Sequence, residues 1–218
     1  MTKKEIIARL LEPGVIAVIR ADSSEQLLDA AAALIDGGVS AIEVTMTTPN
    51  AIEVIRATAK RFGDNVLLGV GTVLDSATAI RAMEAGAEYV VTPVVRLDVV
   101  ATCLQREKPV FSGAYTPTEA FTAWEAGSDF IKIFPADGLG ASYIKSLRAP
   151  LPQLKIVPSG GVTAENCGEF IQAGCVAISA GSSLVSKTFL QNRDWKGLGE
   201  KTAEFVVGVK NARAKMRS

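Results

Sequence analysis

The chain contains no histidine. That absence closes several chemical routes. Zinc hydrolases and metal-dependent aldolases normally use imidazole ligands, and serine hydrolases a histidine base. Acid–base work therefore falls to carboxylates, lysine, hydroxyls or water. Cysteine is scarce too. Cys103, Cys167 and Cys175 make no metal or redox spacing, and an odd count without an export signal points to reduced thiols in a cytoplasm. No apolar run is longer than a strand, which argues against a transmembrane helix. The opening residues carry charges every few positions, unlike the hydrophobic core of a signal peptide. Net charge is also absent: 23 basic and 23 acidic residues give no footprint for nucleic acid. Four basic residues between Lys210 and Arg217 read as the solvated end of a helix.

What is present is a strict alternation. β-branched, strand-like runs occupy Val15–Arg20, Ala41–Met46, Leu67–Val73, Tyr89–Val94, Pro109–Ala114, Phe130–Pro135, Lys155–Gly161 and Ala177–Ser182. Helical stretches follow at 24–36, 50–61, 76–85, 96–106, 117–126, 140–148, 164–173 and 195–213. Near-continuous apolar strands alternating with helices predict parallel strands buried on both faces. The 218 residues, 48% hydrophobic, suit one domain, residues 1–218. The expected architecture is a closed (β/α)8 TIM barrel with a short N-terminal helix; the competing one is an open doubly wound sheet. A helix end, a glycine and then a strand recur at Gly38, Gly86, Gly127 and Gly174, ahead of strands 2, 4, 6 and 8.

Three charges interrupt the apolar strands at or beyond mid-strand: Arg20, Glu43 and Lys132. In such a barrel, chemistry collects at the strand C-terminal ends. Lys132 lies inside Phe130-Ile-Lys-Ile-Phe-Pro135. Burial there disfavours the ammonium, and a neutral amine is a nucleophile suited to Schiff-base formation with a carbonyl. A snorkelling lysine or a structural ion pair is the competing account. Lys155 opens strand 7, at the opposite, structural end. Val157-Pro-Ser-Gly-Gly161, with Thr163 as the next helix N-cap, and Ser179-Ala-Gly-Ser-Ser183 end strands 7 and 8, the usual phosphate loops of this fold. Gly69-Val-Gly71-Thr72 lacks the third glycine of a dinucleotide fingerprint and reads as room for a substrate beside a hydroxyl.

From about Ile6 to Val185 the chain resembles the class I 2-keto-3-deoxy-6-phosphogluconate (KDPG) aldolases, with the related 2-keto-4-hydroxyglutarate and 2-keto-3-deoxy-6-phosphogalactonate aldolases. The segments that carry the resemblance are VIAVIR, AIEVTMTTPNA, LLGVGTVLD, VVTP, TPTEAFTAWEAG, FIKIFPAD, VPSGGV and AGSSLV. The resemblance implies that Lys132 forms the Schiff base and that Glu43 is the general acid and base. It implies that Arg20 and Thr72 hold the pyruvate end, that Pro93 and Phe134 shape the pocket, and that Gly160, Gly161 and Ser182 bind phosphate. Ser159 stands where relatives often carry threonine. Departures fall at Thr47, where some members have an arginine, and at Val94 and Ser112, each in place of one residue of a Pro-Gly pair; all three are expected near the mouth. The implied reaction releases pyruvate and a three-carbon aldehyde phosphate from a keto-acid sugar phosphate, with no metal or organic cofactor. A homotrimer is implied as well, and Phe111, Tyr115, Phe121 and Trp124 are candidates for its interface or for barrel–helix packing. A phosphosugar isomerase or epimerase, and a sugar-phosphate-binding regulator on a retired aldolase, are the other readings. Neither gluconate nor galactonate configuration at C4 is fixed by these residues.

Overall fold

The computed structural model describes residues 1–21 and 23–216. A helix, α1 (Lys3–Leu11), opens the chain behind a capping box in which Thr2 and Glu5 bond each other's backbone. Strands β1 (Val15–Ile19), β2 (Ala41–Thr45), β3 (Leu67–Gly71) and β4 (Tyr89–Val91) then alternate with helices α2 (Ser24–Asp36), α3 (Ala51–Phe62) and α4 (Ser76–Glu84). The second half continues with α5 (Leu97–Gln105), β5 (Val110–Ala114), α6 (Pro117–Glu125), β6 (Phe130–Ile133) and α7 (Gly140–Arg148). It ends with β7 (Ile156–Pro158), α8 (Cys167–Gln172), β8 (Ile178–Ala180), α9 (Lys187–Asn192) and α10 (Trp195–Lys215).

All eight strands are parallel; β1 to β7 pair with their sequence neighbours, and β8 pairs with β1. A Ser159–Ser179 bridge joins the loop end of β7 to β8 and closes the barrel. Alternation along each strand makes two cores. Outward residues such as Val44, Val70, Ile131 and Ile133 pack under the helices. Inward residues Ile16, Ala41, Leu67, Tyr89, Phe111, Phe130, Val157 and Ala177 fill the N-terminal half of the barrel, and Ile6 and Leu10 of α1 join them. There Tyr89, Phe111 and Phe130 stack, with ring centroids 5.6 and 4.4 Å apart. Burial of this kind contributes about 25 cal/mol per Å² of apolar surface.

Several boundaries differ from the sequence expectation. The strands are shorter than their apolar runs. β4 ends before Thr92, whose hydroxyl turns back to Val94 O at 2.7 Å, and Pro93 offers no N–H to a ladder. α8 starts at Cys167, because Thr163 and Asn166 first exchange backbone–side-chain bonds across a turn. Asn166, not Thr163, is its N-cap. α9 has no counterpart in the expected helices; its six residues are too few for a visible periodicity. Phe111 is buried inside the barrel and offers nothing to an interface, whereas Tyr115, Phe121 and Trp124 are exposed. Arg213 is not a solvated end residue: it donates to Leu11 O, Glu12 O and Val176 O, tying α10 to the end of α1; Arg217 lies outside the described residues. The four recurrent glycines all adopt positive φ, at 95, 113, 95 and 100°, where a side chain is disfavoured.

Candidate active site

The strand C-terminal ends enclose a cavity of about 560 Å³. The ten residues assigned catalytic or binding roles from the sequence line it: Arg20, Glu43, Thr72, Pro93, Lys132, Phe134, Ser159, Gly160, Gly161 and Ser182. A larger groove, about 690 Å³, runs between α2 and α10 past Trp195. It sits on the helical exterior, away from the charged strand residues.

Lys132 and Glu43 form the centre. Lys132 projects from mid-β6, in register with Gly113 and Val157. Its Nζ lies 3.8 Å from Glu43 Oε1 and 5.3 Å from the centroid of the Phe134 ring. The two residues are 8% and 2% exposed. Among the described residues Lys132 donates no hydrogen bond. The amine is therefore held by a carboxylate's field and an aromatic face rather than by a bond that attack on a carbonyl would have to break.

Neighbouring glycines make this arrangement fit. A Cβ at Gly71 would overlap Glu43 Oε1, and one at Gly69 would overlap the Tyr89 ring. The space that these glycines leave is filled by protein side chains rather than being reserved for a substrate. Gly113 admits the Pro93–Val94 backbone, which crosses directly over it. Burial, and secondarily the Glu43 carboxylate, hold the Tyr89 phenol well above its ordinary pKa.

Around the rim, Thr72 sits at φ 61°, a left-handed conformation that is costly for a β-branched residue and recurs where a side chain must be aimed into a site. Arg20 follows β1, and its Nη1 comes within 3.7 Å of the point a Gly181 Cβ would occupy. Thr47 shares a 2.8 Å hydroxyl contact with Thr45 and also lines the cavity. Val94 is 52% exposed and outside the lining. Ser112 is not near the mouth: it is buried, and its N–H donates to Ser128 Oγ at 3.1 Å.

Opposite the lysine, the loops after β7 and β8 approach each other. Ser183 Oγ donates to Val162 O at 2.5 Å, and Asn166 Nδ2 to Gly161 O at 2.9 Å. Gly160 and Gly161 have φ of 84 and 71°, and a Cβ on Gly161 would overlap the Asp137 side chain. Among the described residues, the N–H groups of Gly160, Gly161, Ser182 and Ser183 have no protein acceptor. Clustered backbone donors of this kind suit an anion. Asp137 has no role in the sequence reading; it lies beyond the apolar run, after the cis Phe134–Pro135 peptide, whereas Ser183 ends the expected β8 phosphate loop and also lines the cavity.

A parallel barrel with a buried amine–carboxylate pair at its strand C-terminal end is an arrangement suited to an enzyme of carbonyl chemistry. The family model for KDPG and KHG aldolase matches residues 6–200, and the chain belongs to that family of lyases. It is 34% identical to the 2-dehydro-3-deoxy-6-phosphogalactonate aldolase of Escherichia coli K12, over 90% of this chain and 95% of that one. It is 36% identical to the 2-dehydro-3-deoxy-phosphogluconate aldolase of Treponema pallidum, over 89% and 94%. A solved native KDPGal structure superposes with a TM-score of 0.86 at 33% identity, over 92% and 96% of the two chains. The KDPG aldolase of Legionella pneumophila, solved with pyruvate captured as a covalent carbinolamine, superposes with a TM-score of 0.79 at 27% identity, over 88% and 97%.

Proposed function

We propose that this chain is a Schiff-base aldolase that cleaves 2-keto-3-deoxy-6-phosphogluconate to pyruvate and glyceraldehyde 3-phosphate, and 4-hydroxy-2-oxoglutarate to pyruvate and glyoxylate. The observation that carries the reading is the 3.8 Å Lys132–Glu43 pair, buried in the same cavity as two loops of free backbone donors. Lys132 attacks the C2 carbonyl, and loss of water gives an iminium ion. That ion accepts the electron pair of the C3–C4 bond as Glu43 takes the C4 hydroxyl proton, directly or through a water. The aldehyde leaves, Glu43 returns a proton to C3 of the enamine, and hydrolysis frees pyruvate and the lysine. One carboxylate serves twice, as suits a chain without histidine. Arg20 and Thr72 hold the substrate carboxylate, and Gly160, Gly161 and Ser182 bind the phosphate. Remote anchoring of that kind fixes the reacting bond over the amine.

The likeness to the E. coli enzyme supports a second reading, in which the preferred substrate is the galactonate epimer. The same chemistry applies; only the C4 configuration differs. A homotrimer in the cytoplasm is the setting we assign. The exposed Tyr115, Phe121 and Trp124 support the assembly, and the three free thiols are in keeping with the compartment. Borohydride added with pyruvate tests the mechanism: inactivation should accompany a reduced adduct on the Lys132 peptide, and an adduct elsewhere rejects it. Turnover on the two epimers then decides the substrate.

A further inference from the structure

One buried polar group beneath the pair has no part in these steps. Tyr89 is fully buried, and among the described residues its hydroxyl has no hydrogen-bond partner. A buried hydroxyl left unpaired is destabilising, so its direction matters. The strand register sets that direction. Glu43, Gly69 and Tyr89 stand side by side on β2, β3 and β4. The middle position has no side chain, and the Tyr89 ring lies across it: the point a Gly69 Cβ would occupy falls against Cε2 and Cζ, the carbon that bears the hydroxyl. The phenol thus crosses β3 toward the strand that carries Glu43. On its other side the ring packs on Phe111, which offers no acceptor. Glu43 is also the one charged group that acts on the phenol.

We propose that Tyr89 is a positioning residue for Glu43, its hydroxyl donating to the carboxylate from below through one water. The missing side chain of Gly71 leaves the carboxylate room beside β3, and the phenol fixes it from below. Tyr89 touches no reacting atom; it acts by holding the group that moves protons to and from C3 and C4. The inference rests on the role proposed for Glu43.

Tyr89→Phe keeps the ring and its contact with Phe111 and removes only the hydroxyl. Three rates separate the steps: borohydride trapping of pyruvate, exchange of the pyruvate methyl hydrogens with deuterated water, and retro-aldol turnover. Hydrogen bonds to charged groups are the stronger ones, so exchange and kcat should fall together by roughly tenfold or more. Trapping and KM should stay within about twofold, since Schiff-base formation does not call on the carboxylate's aim. In a Glu43→Gln background the same substitution should leave the residual exchange unchanged. The proposal is overturned if exchange and kcat match the unaltered protein, or if trapping falls in step with them, which would make Tyr89 a support for Lys132. Failure of the unaltered protein to trap pyruvate at all would instead reject the lysine mechanism, and this inference with it.

Discussion

Gly71 lies two residues beyond the Gly69 that pairs with Glu43, and its missing Cβ is the space taken by the Glu43 carboxylate. Gly71→Ala should therefore displace the carboxylate without touching the amine. A misplacement of about 1 Å can cost roughly 100-fold in rate. Steady-state assays should show kcat falling by that order, while pyruvate trapping by borohydride persists. Equal loss of both would mean that the methyl disrupts the barrel rather than the carboxylate.

Glu43→Gln keeps the shape and removes the charge. Turnover should drop by about 10²–10⁴-fold, the usual contribution of a positioned acid–base group. Mass spectrometry after borohydride should still find the pyruvyl adduct on Lys132. Full activity in this variant would remove Glu43 from the proton transfers.

Arg20→Ala tests the carboxylate end. Binding of pyruvate should weaken more than binding of the aldehyde phosphate, because an arginine donates oriented, charge-assisted hydrogen bonds to a carboxylate. The guanidinium lies close to the β8 loop, so the reverse result would reassign it to the phosphate.

Gly161→Ala tests the phosphate end. Its φ of 71° disfavours a side chain, and the Cβ would overlap Asp137. Moving the loop should raise KM for the phosphorylated substrate by about tenfold, equivalent to about 1.4 kcal/mol. KM for unphosphorylated 4-hydroxy-2-oxoglutarate should change little.

The thiols give a prediction about stability. Burial pushes Cys103 and Cys175 up to about 12 from an ordinary 9.0. They stay neutral in the fold while the unfolded thiols ionise. Their contribution is whole below about pH 9 and is lost as pH rises toward about 12. Urea midpoints across that window should fall less for the Cys103→Ala, Cys175→Ala double variant than for the unaltered chain. Alkylation at pH 8 should reach neither thiol until the protein is unfolded.

The barrel was legible because parallel, doubly buried strands write themselves as apolar runs, and their spacing with alanine-rich helices leaves little choice of topology. Lys132, Glu43 and Arg20 were legible for the same reason: charge is conspicuous in an apolar strand. Strand ends were less so, since Thr92 and Pro93 look like more strand until the hydroxyl is seen to cap the ladder. Phe111 and Phe121 are the same residue type, yet the parity of β5 turns Phe111 into the barrel while Phe121 lies on the exposed side of α6. Ser112 failed as a mouth residue on that parity alone. Tyr89 was hidden because a tyrosine that opens a strand looks like ordinary core, and its relation to Glu43 exists only once Gly69 is placed between them.

The rings of Tyr89, Phe111 and Phe130, with α1 beneath, fill the barrel under Lys132 and Glu43, so the cavity lies toward the strand C-terminal ends. On the function proposed above, a ligand should enter keto-acid end first to reach Lys132. Shape would then order the traffic: the aldehyde should leave before the pyruvate, and in the synthetic direction pyruvate should be seated before its partner.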